Sequence, residues 1–156
     1  MKKFLLSKIS ITIAFIGVVF VNYLANALPI GGVTTWEASD SYGNLFTPAG
    51  VTFAIWGLIY MLLLVYVLYS WGLFDKNRKE KKKNLIYKVD KLFIINALAN
   101  ISWIFSWHYG IISLSVLIML VLLVTLILLA NLLNKEKFSL LDKVVCVYLL
   151  VFILGG

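Results

Sequence analysis

Asn96, Asn100, Trp103 and Trp107 follow one another at spacings of 4, 3 and 4 residues, so on a helix they form a single stripe. They belong to the run LFIINALANISWIFSW (92–107), which contains no charged side chain. A carboxamide in an apolar medium is costly unless it has a partner. Two chemistries supply one. The amides can bond across to a neighbouring helix while the indoles pack beside them. Alternatively, they can orient the polar edge of a ligand whose flat face stacks on the aromatic rings. Phe53, Trp56 and Tyr60, at spacings of 3 and 4 in the preceding apolar run, form a second stripe. Taken alone, such a stripe is more often core than ligand wall.

Other reactive constellations are missing from the sequence. There is no Gly-rich phosphate loop, Ser–His–Asp set or zinc-protease motif. His108 is the single histidine and stands near a helix end, a poor start for a metal site. The one cysteine, Cys146, lies in an apolar run and reads as a small buried hydrophobe. Glu37 and Asp40 read as solvated turn residues. The apolar runs hold no carboxylate and no lysine, which argues against a proton relay or an ion-coupled carrier. The expectation is a protein that is not an enzyme and requires no cofactor.

The elements that position these residues follow from composition. Of 156 residues, 62 % are hydrophobic and 13 % charged, against about half and about a quarter in a soluble domain. One small core cannot hide that excess. The apolar residues also come in blocks: 9–25, 49–73, 92–107 and 111–133 carry no charge. About 20 apolar residues cross a bilayer core as a helix. The predicted fold is therefore all-α, a polytopic transmembrane helical bundle forming one membrane domain, with the lipid bilayer as its partner. Five helices are expected, over about 9–27, 49–73, 92–110, 111–133 and 144–156. The fifth is truncated, because the last apolar run, VVCVYLLVFILGG (144–156), has only thirteen residues. Either the chain is a fragment of a longer protein or its last helix is short. The basic start and Ala25-Asn26-Ala27 also fit a cleavable signal. The long apolar run and the Asn22/Asn26 pair, one turn apart, favour a retained helix.

The net charge of +7 does not point to nucleic acid. All fourteen Lys and Arg fall within 2–8, 76–91 and 135–143, beside apolar spans. The connections 26–50 and 108–110 have none. By the positive-inside rule the N-terminus is cytoplasmic, 74–91 is a cytoplasmic basic loop, and the loop 28–48 lies outside. The location is thus the cell membrane, crossed several times.

The stretch TPAGVTFAIWGLIYMLLLVYVLYSW (47–71) resembles the second-helix signature of the tryptophan-rich sensory protein family (TspO/MBR, or translocator protein). Trp56, Gly57 and Tyr60 stand for its Trp-Gly-x-x-Tyr mark. Asn96-x-x-x-Asn100-x-x-Trp103 is similar to the family's third helix. The order of elements over roughly 10–156 agrees as well. Two features depart from the family. FTPAG (46–50) holds one proline where the family has a Trp-x-Pro-Pro-type element, and Tyr148 is all that matches the fifth-helix Pro-Tyr-x-x-Trp element.

The resemblance implies a five-helix bundle whose first loop caps a pocket between the helices. It implies an apolar small-molecule ligand, a porphyrin (tetrapyrrole) or a sterol, that is sensed or transported. The ligand-binding residues it carries over are Trp56 and Tyr60, then Asn96, Asn100 and Trp103, with Trp36, Phe46 and Pro48 in the lid. It also implies a homodimer. The alternative is a membrane interaction subunit or permease component whose Asn/Trp stripes contact other helices.

Overall fold

A computed structural model describes residues 2–32, 50–74 and 79–134, with only the course of the helix over 50–56. The described residues form four long helices and no strand. These are α1 (Lys2–Ala27), α2 (Gly50–Trp71), α3 (Glu80–His108) and α4 (Ile112–Asn134), with a short 3-10 turn at Ile30–Gly32. The predicted fifth helix (144–156), with Cys146 and Tyr148, lies outside the described residues, as do Glu37 and Asp40.

Two boundaries differ from the expectation. α1 begins at Lys2 instead of near residue 9. α3 begins at Glu80, so most of the segment taken as a basic loop (74–91) is helix. The cause is in its residues. Glu, Lys and Leu are good helix formers, and Leu85, Ile86, Val89 and Phe93 recur at helical spacing, the last three buried. The lysines between them occupy the outer face. This extension also corrects the reading that no apolar span holds a carboxylate: Asp90 lies within α3 and is 2 % exposed.

α3 is the central element. α1 and α4 pack along it, and α2 packs on α1. Side-chain pairs fix the directions. The starts of α1 and α3 meet the end of α2 around Ser7, Asp90 and Ser70. Farther along, Asn22 of α1 meets Asn100 of α3. α1 and α3 are therefore parallel, and α2 and α4 run against them. α3 ends in a Schellman turn: Ile111 N–H donates to Ser106 O (2.9 Å) and Gly110 N–H to Trp107 O (3.1 Å). Gly110 takes the left-handed φ of +66° that this turn needs. The turn reverses the chain within three residues and sets α4 antiparallel to α3.

The core joins α1, α2 and α3 through Ile11, Val18, Tyr66, Val67, Phe93 and Ala97, and Tyr66 stacks on Phe93 at 5.5 Å. α4 buries only Ser115, Thr125, Leu126, Leu129 and Leu133, while Leu117, Leu120, Val124 and Leu128 are exposed. A helix so coated suits hydrocarbon, which solvates leucine as well as another helix does. α1, α3 and α4 are each long and apolar enough to cross a membrane. Every lysine in the described residues lies in the first half of α1 or α3, or at the cap Lys79.

Candidate functional site

A cavity of about 330 Å³ opens between the helices. Its walls come from all four: Val18 of α1, Tyr60 and Leu63 of α2, Asn96, Asn100 and Trp103 of α3, and Met119 and Leu126 of α4, among others. Helical spacing brings the three α3 residues to one face, as the sequence predicts. The volume is at the lower end of the ~300–1,000 Å³ range of small-molecule sites, and the lining is mostly apolar with a few polar groups.

The polar groups are each half engaged. Asn22 Nδ2 donates to Val18 O (2.9 Å) and to Asn100 Oδ1 (3.1 Å), which ties α1 to α3. Asn96 Nδ2 donates to Thr125 Oγ1 (2.9 Å), which ties α3 to α4. Thr125 in turn donates to Leu122 O at 2.7 Å. Among the described residues, Asn96 Oδ1 and Asn100 Nδ2 have no hydrogen-bond partner. The Trp103 indole N–H is buried and unpartnered among the same residues. Trp103 stacks on Trp107 at 6.0 Å with 20° between the rings. The interhelical bonds expected of the asparagines are present. One end of each amide is interhelical glue, and the other end is left over beside the cavity. A buried donor without an acceptor costs about 1–3 kcal/mol; of these three groups only the Trp103 indole N–H is fully buried, while Asn96 and Asn100 are half-exposed.

Of the eight predicted site residues, Tyr60, Asn96, Asn100 and Trp103 line this one cavity. Trp56 lies in α2 and Phe53 one turn before it, but their side chains fall outside the described residues. Trp36, Phe46 and Pro48 lie outside them entirely. The start of their loop is described: Gly31 approaches the end of α3 so closely that a Cβ on it would sit 2.7 Å from His108 O. His108 is the last residue of α3, buried, with Nδ1 2.8 Å from Ile104 O.

A second polar centre, absent from the sequence reading, surrounds Asp90. Ser7 Oγ of α1 donates to its Oδ2 (2.7 Å) and Tyr66 OH of α2 to its Oδ1 (2.7 Å). Ser70 Oγ lies 3.2 and 3.3 Å from the two oxygens. Tyr66 and Ser70 stand four residues apart on α2, a polar pair on one face of an apolar span, and that spacing was the available signal. Thr125 had a weaker one, as a lone hydroxyl among leucines. Beside this centre, Lys8 Nζ donates to Trp71 O (3.3 Å) at the C-terminus of α2, and Trp71 Nε1 donates to Thr12 Oγ1 (3.0 Å). All its members are engaged, and it opens on no cavity that Asn96 or Asn100 lines.

Comparison with curated proteins and with solved structures gave no match. A family model described as TSPO-like protein matches residues 8–153. With three helices able to cross a membrane and a cavity lined where the Asn/Trp pattern of the third helix falls, the chain is a membrane protein and belongs to the TSPO-like protein family.

Proposed function

We propose that the chain binds an apolar small molecule of porphyrin or sterol type between its helices and acts as a sensor or transporter of it, without catalysing a reaction. The observation that carries this reading is the cavity beside Asn96, Asn100 and Trp103, where apolar walls surround spare hydrogen-bonding groups. A planar ligand would stack on the Trp103 and Tyr60 rings and place an oxygen against the Asn100 amide. Permanent contact with a partner helix, as in an interaction subunit, accounts less well for the buried, unpartnered Trp103 indole N–H, since helix partners normally satisfy buried polar groups. The cell membrane is the expected location. The lysine-rich ends of α1 and α3 face the cytoplasm and the Gly31 turn faces outward, in keeping with the positive-inside rule. In that orientation Gly31 lies against the outer end of α3, and the lid role of Trp36, Phe46 and Pro48, which lie outside the described residues, rests on the family resemblance alone.

Titration of the detergent-solubilised chain with protoporphyrin IX, read by tryptophan fluorescence, tests the proposal. Saturable quenching is expected, and Asn100→Ala should weaken it about tenfold, the effect of one lost hydrogen bond. Quenching that does not saturate, or that is unchanged in both Asn100→Ala and Trp103→Phe, rejects this ligand site.

A further inference from the structure

The lysine-rich end carries a second kind of site. Lys3 Nζ of α1 lies 5.8 Å from the centroid of the Tyr87 ring of α3, and Lys91 Nζ lies 4.7 Å from the same centroid. Lys3 also lies 4.9 Å from the Phe4 ring, which meets Tyr87 edge-on at 6.0 Å. One aromatic ring thus gathers two ammonium groups from two helices. A ring quadrupole attracts a cation but cannot neutralise two. The only described carboxylates are occupied elsewhere: Glu80 pairs with Lys83 (3.8 Å), and Asp90 is enclosed by hydroxyls. Lys2, next to Lys3, and Lys88, next to Tyr87, are exposed and add to the positive field. Next to this cluster a shallow groove on α1 runs from Lys2 and Lys3 to Leu5, Leu6 and Ile9, and the last three are 53 %, 66 % and 41 % exposed.

From this juxtaposition we infer that the lysine cluster at Tyr87, together with the neighbouring groove on α1, binds an anionic phospholipid of the phosphatidylglycerol type. Its phosphate bridges Lys3 and Lys91, and an acyl chain lies along Leu5, Leu6 and Ile9. A negative head group removes the repulsion between the two ammoniums, whereas a zwitterionic one brings a cation of its own. The apolar groove selects a lipid over a soluble anion. Basic clefts between membrane helices at the head-group level are suited to such lipids. The site is separate from the helix-lined cavity and does not depend on the ligand proposed there.

Native mass spectrometry of the full chain in neutral detergent tests it, with phosphatidylglycerol, phosphatidylcholine and inorganic phosphate added in turn. Saturable binding of phosphatidylglycerol is expected. The double variant Lys3→Gln/Lys91→Gln should lose affinity roughly thirtyfold, from two lysines' share of attraction to an anionic head group. Lys79→Gln/Lys83→Gln, on exposed residues away from the groove, should bind as the unaltered chain does. Lys91→Arg, which keeps the charge, should bind as well, and this arm holds even if the double variant folds poorly. Equal binding by the double variant, equal binding of phosphatidylcholine, or competition by inorganic phosphate at lipid-like concentration would each overturn the inference.

Discussion

Two polar centres lie along α3, Asn96 and Asn100 being six and ten residues beyond Asp90, roughly 9 and 15 Å at the helical rise, and they are built in opposite ways. At Asp90 three hydroxyls from α1 and α2 close on both carboxylate oxygens, within 2.7–3.3 Å, and the residue is 2 % exposed. At Asn96 and Asn100 each amide spends one end on a neighbouring helix and leaves the other beside a cavity. The same apolar surroundings thus hold a saturated centre and an unsaturated one. Saturation fixes three helices relative to one another. Incomplete saturation leaves room for something that is not helix. On the function proposed above, the Asp90 centre would serve as scaffold and the Asn96/Asn100 centre as the recognition surface for the apolar ligand.

The largest expected effect tests the scaffold half. Asp90→Ala removes the acceptor that Ser7, Tyr66 and Ser70 share, and a buried donor left without an acceptor costs about 1–3 kcal/mol. Thermal unfolding in detergent, followed by tryptophan fluorescence, should show a drop larger than that of any single change in the cavity. Asp90→Asn keeps one acceptor oxygen and should lose less. If Asp90→Ala unfolds no earlier than Asn100→Ala, the division between the two centres fails.

How visible each centre was in the sequence follows from its surroundings. Asn96, Asn100 and Trp103 stand out because amides and indoles interrupt an uncharged run at helical spacing, and the cavity gathers them as that spacing requires. The helix order and the α3–α4 reversal were readable for the same reason, since long apolar blocks separated by HYG admit little else. Asp90 was hidden by its neighbours. Lys88 and Lys91 make its segment look solvated, and only the buried Ile86–Val89–Phe93 face shows that the helix has already begun. Its partners Ser7 and Ser70 are 83 and 20 residues away in sequence, and no local pattern pairs them. Likewise Thr125, 29 residues from Asn96, became its partner only when the Schellman turn had folded α4 back.

A middle-sized effect is expected where the Gly31 turn meets the end of α3. Gly31 has φ +66°, and a Cβ there would meet a backbone atom, His108 O, which cannot swing aside. Gly31→Ala should cost about 1–3 kcal/mol, the range for a strained left-handed residue, and should move the loop start away from α3. Acrylamide quenching of Trp103 and Trp107 should then rise. Thermal stability should fall by less than in Asp90→Ala, because the three-helix centre is untouched. Unchanged quenching would mean that the turn does not govern access to the cavity.

The smallest effect sharpens the comparison most. Thr125→Val keeps the shape of the side chain and removes only the hydroxyl that accepts from Asn96 Nδ2. Polar bonds between membrane helices average about 0.6 kcal/mol, because the separated helices find other partners. Unfolding should therefore shift by a degree or two. The consequence for the cavity is of the other sign. With Thr125 gone as acceptor, both ends of the Asn96 amide become available to a bound molecule, so affinity for an oxygen-bearing apolar ligand should hold or rise while stability slips. A saturated centre cannot behave in this way, since removing any member there only subtracts. If Thr125→Val instead lowers stability and ligand affinity together, Asn96 is held for the scaffold, and the recognition surface contracts to Asn100, Trp103 and Tyr60.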